Sequence, residues 1–331
     1  MNDLIGELTQ IHGPSGNEEW VREAIRALIE PHANQVWTDA LGNLIASAGR
    51  EGGTRVMLSA HMDEVGVMVT HVDEEGFLRF DRVGSINPYF LPGRRVVFAN
   101  GTVGTIGTER LDSIKDLEVS RLFIDIGARN RSSALEKVRV GDLATFWGPV
   151  HNMGDTILAK SLDDRIGCAV LVQTLKELQE TPNLVFFVFT VQEEVGIRGA
   201  RTAAYGLDPE VGIAVDVTAT GDTPKARRLE VSVGKGVAVK IKDRSVMTHP
   251  AVKKLLVDAA EEQGIPYQFE VLEFGGTDAG AIHLTREGVP SGVLSIPVRY
   301  VHSPSEMASL EDAENCVRLL KQVLSRPIRL D

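Results

Sequence analysis

Glu193 and Glu194 stand side by side just past the apolar run 184–191, with only Gln192 intervening. The run reads as a buried strand, so both carboxylates fall where it leaves the sheet. Two like charges at such an edge repel each other unless a positive partner is shared between them. A divalent cation held by one glutamate, with the other able to take a proton from water on that cation, resolves the conflict. Other apolar runs end in the same kind of residue. Residues 56–60 lead into His61-Met62-Asp63, and 211–215 lead into Asp216. Lys160-Ser161-Leu162 leads into Asp163-Asp164-Arg165, which opens a helix, and 292–296 lead through Pro297 and Tyr300 to His302. Open α/β sheets carry their sites outside the carboxyl ends of the strands, which puts the strand-borne groups on one edge of one sheet.

The residue types are imidazoles and carboxylates without a thiolate, a donor set suited to borderline cations such as zinc. A two-metal centre needs about three protein ligands per ion, or about six positions. His61, Asp163, Glu194, Asp216 and His302 meet that need if one carboxylate bridges, and Asp163, at a helix start that favours its charge, is the natural bridge. Asp63 lies two residues from His61, on the same side of an extended backbone, where it can orient the imidazole. Glu193 is left over and fits a general base. Asp278 is a further candidate for supporting the site, with a turn residue as its equal alternative.

Each feature alone has a plainer reading. His-x-Asp is commonly a surface pair, Asp-Asp-Arg a helix cap with a salt bridge, Glu-Glu a solvated edge, and Asp216 a turn former. Their coincidence at the ends of successive apolar runs selects metal chemistry. His12, His32, His71, His151, His249 and His283 lack that context.

The elements that must position these groups fall into three parts. Residues 1–65 hold an amphipathic helix around Trp20–Ile29 and strands near 35–38, 44–47 and 55–60. Residues 66–150 are short β-rich runs at 66–72, 77–83, 95–98, 103–106, 121–124 and 143–146, with a capping-box pattern at Ser133-Ala-Leu-Glu136. Residues 151–331 alternate strands with helices at 166–178, 250–263 and 310–324. The expected fold is α/β: a helix-covered mixed sheet forming a catalytic domain from 1–65 and 151–331, interrupted by a small β-barrel-like domain at 66–150.

Composition sets the outer bounds. A net charge of -11 argues against nucleic acid, which requires a basic surface. The two cysteines, Cys168 and Cys316, read as buried small hydrophobes in a reducing compartment. Residues 1–9 lack the basic-then-apolar pattern of a signal peptide, and no apolar run is long enough to span a bilayer. The expected setting is cytoplasmic, with no membrane partner.

Taken in chain order, His61-Met-Asp63-Glu-Val-Gly66, Leu162-Asp-Asp-Arg165, Gln192-Glu-Glu-Val-Gly196, Asp216-Val-Thr218, Gly276-Thr-Asp-Ala279 and Arg299-Tyr-Val-His-Ser303 resemble the motifs of the tetrahedral aminopeptidases, the glutamyl aminopeptidase-like family of dinuclear metallopeptidases. The resemblance runs from the Pro14-Ser-Gly16 loop to the C-terminal helix. It implies two divalent ions per subunit, zinc or cobalt, one bound by His61 and Asp216 and the other by Glu194 and His302. It further implies that Asp163 bridges them, that Glu193 is the base and that Asp63 supports His61. The implied activity is release of N-terminal residues from short peptides. The middle part would serve dimerisation, and six dimers would build a hollow tetrahedral dodecamer with inward-facing sites. Gly236-Val237 departs from the Gly-Pro expected there. Rival readings are an aminoacylase or deacylase on a related metal scaffold, a non-catalytic metal-binding assembly protein, and a glycosidase. The last rests on paired carboxylates alone, and 5% aromatic residues offer little for sugar stacking.

Overall fold

The computed structural model describes residues 1–330. Its centre is an eleven-stranded sheet. Strand order runs Gln35–Thr38, Leu44–Gly49, Leu184–Thr190, Arg55–His61, Val211–Ala219, Ser291–Arg299, Glu306–Ser309, Thr156–Ala159, His151–Asn152. Val237–Lys242 and Tyr267–Val271 branch from Ser291–Arg299. The strands Leu184–Thr190, Arg55–His61, Val211–Ala219 and Ser291–Arg299 run parallel to one another, and antiparallel pairs flank them. Parallel strands are buried on both faces, which is why these segments are nearly continuous apolar runs.

Alternation along the strands sorts residues onto two faces. Val56, Leu58, Phe187, Phe189, Val215 and Leu294 pack beneath the helices Asn2–Gln10, Glu19–Ile29, Leu162–Glu177, Pro250–Gln263 and Leu310–Leu324. Phe187 and Phe189 are fully buried, each contributing roughly 1.5–3 kcal/mol. On the opposite face Met57 and Val188 meet the helices Arg198–Leu207 and Ala279–Ile282 through Ala203, Ala204 and Ile282. His61 shares its strand face with Met57, and Asp216 shares its own with Ala214, which packs on Ala279. Both ligand candidates therefore point toward the face covered by Arg198–Leu207 and Ala279–Ile282.

Between Arg55–His61 and His151–Asn152 the chain forms a closed antiparallel barrel. Its order is Gly66–Val72, Leu78–Val83, Leu122–Asp125, Val103–Thr108, Arg95–Phe98, Leu143–Phe146, around a core of its own that includes Val67, Leu78, Ile106, Ile124 and Phe146. The mixed α/β sheet with a separate small barrel agrees with the expectation from sequence.

Local details differ. The capping box lies one turn earlier than expected: Asn130 caps the helix Arg131–Leu135, and Ser133 is its third residue. Asp216 does not end a strand but sits within Val211–Ala219, opposite Ser295, because this pair of strands continues past the last pairing with Arg55–His61 at Ser59. At the start of Leu162–Glu177, Asp163 and Asp164 have non-helical backbones, with ψ of 106° and 38°. Regular helix begins at Arg165, and Asp164 rather than Asp163 caps it, accepting the Gly167 N–H at 3.1 Å. Among the described residues, no helix is long and apolar enough to cross a membrane.

Candidate metal centre

The carboxyl ends of the parallel strands bring the candidate residues together. His61 ends its strand, Asp216 lies on the adjacent one, and Glu193 and Glu194 follow Leu184–Thr190, whose Thr190 pairs with His61. His302 occupies the turn after Ser291–Arg299 with φ of +60°, a left-handed conformation. Asp163 lies between the imidazoles: Oδ1 is 3.0 Å from His61 Nε2 and Oδ2 is 3.1 Å from His302 Nε2. Glu194 Oε1 is 3.0 Å from His302 Nε2. Asp216 Oδ1 and Glu193 Oε2 stand 3.9 and 4.0 Å from His61 Nε2.

The other ring nitrogens reveal the tautomers. His61 Nδ1 is 3.0 Å from the Asp63 carbonyl, and His302 Nδ1 is 2.6 Å from the Ser85 carbonyl. A carbonyl only accepts, so each Nδ1 carries hydrogen and each neutral ring turns a lone pair at Nε2 toward carboxylate oxygens. Lone pair facing lone pair at 3.0–3.1 Å requires a cation or a proton between them. Glu194 Oε1 is buried without a hydrogen bond despite its closeness to His302, consistent with an ion-ligand geometry. Among the described residues no lysine or arginine forms an ion pair with Asp163, Asp164, Glu193, Glu194 or Asp216.

Electrostatics state the same deficit of positive charge. Burial, then the Asp216 and Glu194 charges, push the Glu193 carboxyl well above its ordinary range. Burial and Asp163 do the same to Asp216, and burial and Asp216 to Asp164. Burial opposes ionising Asp163, but His302 and His61 outweigh it and hold its carboxyl far down. Burial likewise opposes charging the imidazoles, but the surrounding carboxylates drive both rings well above their usual value. The cluster gathers protons where divalent cations would satisfy it better. The residues fit such ions.

Several supporting groups surround the cluster. The sequence predicts that the Asp63 side chain orients the His61 ring, but the Asp63 backbone carbonyl is the nearer acceptor of His61 Nδ1. Its carboxylate is 3.5 Å from His61 Nδ1, farther than its own carbonyl, and accepts the Ser15 hydroxyl at 2.6 Å and the N–H groups of Glu193 and Glu194 at 3.0 and 3.2 Å. Asp164 also falls within ligand reach of His61 and Asp216. Its oxygens are committed, however, to the backbone N–H groups of His61 and Gly167. Arg165, fully buried, donates to the Met62 carbonyl at 2.7 Å and so steadies the residue between His61 and Asp63. Asp278 is buried, pushed up to about 6 chiefly by that burial, and accepts the Thr190 hydroxyl at 2.7 Å. Cys168 is a buried thiol that donates to the His61 carbonyl.

Glu306 was not anticipated. Its Oε1 accepts the His302 N–H at 2.7 Å and its Oε2 the Asp163 N–H at 3.0 Å. Burial and the Asp163 charge push it up to about 8. The only signal in the sequence was a glutamate in a short segment of otherwise small and apolar residues.

Fold and site together define an α/β protein with a buried cluster of imidazoles and carboxylates suited to divalent cations. The chain belongs to the M42 glutamyl aminopeptidase family, whose model matches residues 42–319. It is 53% identical over 325 residues to a putative aminopeptidase of Acetivibrio thermocellus, covering 98% of each chain. An aminopeptidase from the archaeon Desulfurococcus kamchatkensis superposes with a TM-score of 0.95 at 38% identity, over 98% of this chain and 94% of that one. The TET1 peptidase of Pyrococcus horikoshii, described as assembling into a tetrahedron or a large octahedral shell, superposes with a TM-score of 0.86 at 36% identity, over 97% of this chain and 98% of that one.

Proposed function

We propose that the chain is a dinuclear metallo-aminopeptidase that releases N-terminal residues from short peptides. The observation that carries this reading is the pair of imidazole Nε2 atoms that stand 3.0 and 3.1 Å from the two oxygens of one carboxylate, Asp163. In this reading His61 and Asp216 would hold one divalent cation and His302 and Glu194 the other, with Asp163 shared between them. Zinc and cobalt both suit the donor set. When bound, such ions polarise the scissile carbonyl and lower the pKa of water toward about 7.

The chain's own groups do the rest. Glu193 takes a proton from the attacking water and returns it to the leaving amine. Burial raises its proton affinity, which suits a group that must both accept and donate. Asp63 holds the Glu193 and Glu194 amides, keeping the base and the ligand pointed apart. Recognition of a free α-amine by site carboxylates would make the enzyme an exopeptidase.

Residues 1–65 and 151–331 would form the catalytic domain and 66–150 the inserted dimerisation domain. The assembly would be a tetrahedral dodecamer built from dimers with enclosed sites; the tetrahedron and octahedral shell described for the Pyrococcus horikoshii relative support a homo-oligomer.

The decisive test is Glu193→Gln. It should lower kcat about 10²–10⁴-fold while metal analysis still finds two cations per chain. Full activity with metal bound would overturn the assignment of the base. An N-acetylated peptide should stay uncut, whereas a deacylase would process it. Thorough chelation should abolish activity, and zinc or cobalt should restore it; activity that survived would favour the glycosidase.

A further inference from the structure

The two halves of the cluster are oriented by different parts of the chain. His61 takes its acceptor from Asp63, two residues away. His302 takes its acceptor from the barrel: the Ser85 carbonyl, in the loop after Leu78–Val83. Three features fix that carbonyl. Ile86 is buried in the barrel core. Arg82 donates to the Ile86 carbonyl at 2.7 Å. Gly84, with φ of +85°, passes so close to the site that a Cβ would lie 2.7 Å from Val65 Cγ1 and 3.3 Å from both Cβ and Oε2 of Glu194. The loop thus touches both Glu194 and His302.

His302 needs this help. Its backbone is left-handed, and besides the ring contact its placement rests on the N–H bond to Glu306. A hydrogen bond from Nδ1–H to a carbonyl sets the tautomer, aims Nε2 and raises its basicity toward a metal.

We infer that the barrel loop Gly84-Ser85-Ile86 is the positioning element for the Glu194–His302 half of the centre and sets how tightly that half holds its cation. This rests on the dinuclear reading above. The His61–Asp216 half is completed within the sheet domain; the Glu194–His302 half is complete only with the barrel in place. Loading is therefore sequential, with the barrel-dependent cation the weaker.

The test is calorimetric titration of zinc into metal-stripped full-length protein, with bound metal counted by mass spectrometry and folding followed by circular dichroism. The wild type should bind two cations with separable affinities. Gly84→Ala should leave the tighter affinity unchanged and weaken the other about 10–100-fold. Adding Val65→Ala, which clears the 2.7 Å contact, should recover part of that loss, because the φ of +85° and the 3.3 Å contacts with Glu194 remain. A second perturbation changes no side chain: an ester in place of the Ser85–Ile86 peptide bond makes the Ser85 carbonyl a poorer acceptor. The Ile86 N–H that it removes has no protein acceptor among the described residues. The ester should weaken only the second cation, several-fold, and it decides the matter if Gly84→Ala does not fold. Equal weakening of both cations, or none in folded variants, overturns the inference. A wild-type chain that binds fewer than two cations sinks the dinuclear reading itself.

Discussion

Glu306 and Asp63 show how much of this centre depends on residues that need not touch a metal. Glu306 accepts the backbone N–H groups of Asp163 and His302, one with each oxygen. An amide has a single acceptor oxygen, so Glu306→Gln should release one of the two segments and lower metal affinity about 10–100-fold, measurable by competition with a chromophoric chelator. Unchanged affinity would mean that the backbone holds its shape without the carboxylate. Asp63→Asn loses acceptor capacity toward Ser15, Glu193 and Glu194 in the same way. On the proposed roles, kcat should fall with little change in KM and both cations retained, because Asp63 holds the Glu193 and Glu194 backbone without standing among the proposed ligands. The candidate ligands were legible from sequence because each follows or interrupts an apolar run. Glu306 and Ser85 were not, since a backbone contact leaves no mark on residue type.

At the scale of elements, the loop that follows Val211–Ala219 is tied to the strand that leads to His302. Asp222 in that loop pairs with Arg299 at 2.6 Å, near the end of the strand that leads to His302. The Arg299 hydrogen bonds pull the Asp222 carboxyl from 3.8 down to about 2. A value depressed by folding means stabilisation above the unfolded value that is lost as pH falls through the folded one. Between about pH 4 and pH 2 the wild type should therefore lose stability more steeply than Asp222→Asn. Superimposable acid-unfolding curves for the two proteins would refute the coupling. Helices with large apolar residues at helical spacing, Pro250–Gln263 and Leu310–Leu324, were readable with these same limits. Arg198–Leu207 was not, because it buries glycine and alanine, which scarcely register as a hydrophobic stripe.

For the whole molecule, the barrel is both an excursion from the sheet and a neighbour of the candidate metal site, through Ser85 and Gly84. Its strands are consecutive in the chain and close on themselves. If assembly follows the proposed tetrahedral arrangement, light scattering should give twelve chains of 36.0 kDa, about 430 kDa. A fully active monomer would count against enclosure of the sites.

Residue type and local pattern alone were enough to pick out the imidazoles and carboxylates, the apolar strands that carry them and the β-rich middle segment. These follow from periodicity and from the chemistry of donors, both local properties. Tertiary structure alone decided that Asp164 serves as a cap and that Asp63 pins the glutamate backbone. It also decided that the barrel supplies the acceptor for His302. Each of those depends on groups far apart in the chain meeting at hydrogen-bond distance, and no local pattern encodes a contact made through a distant backbone atom.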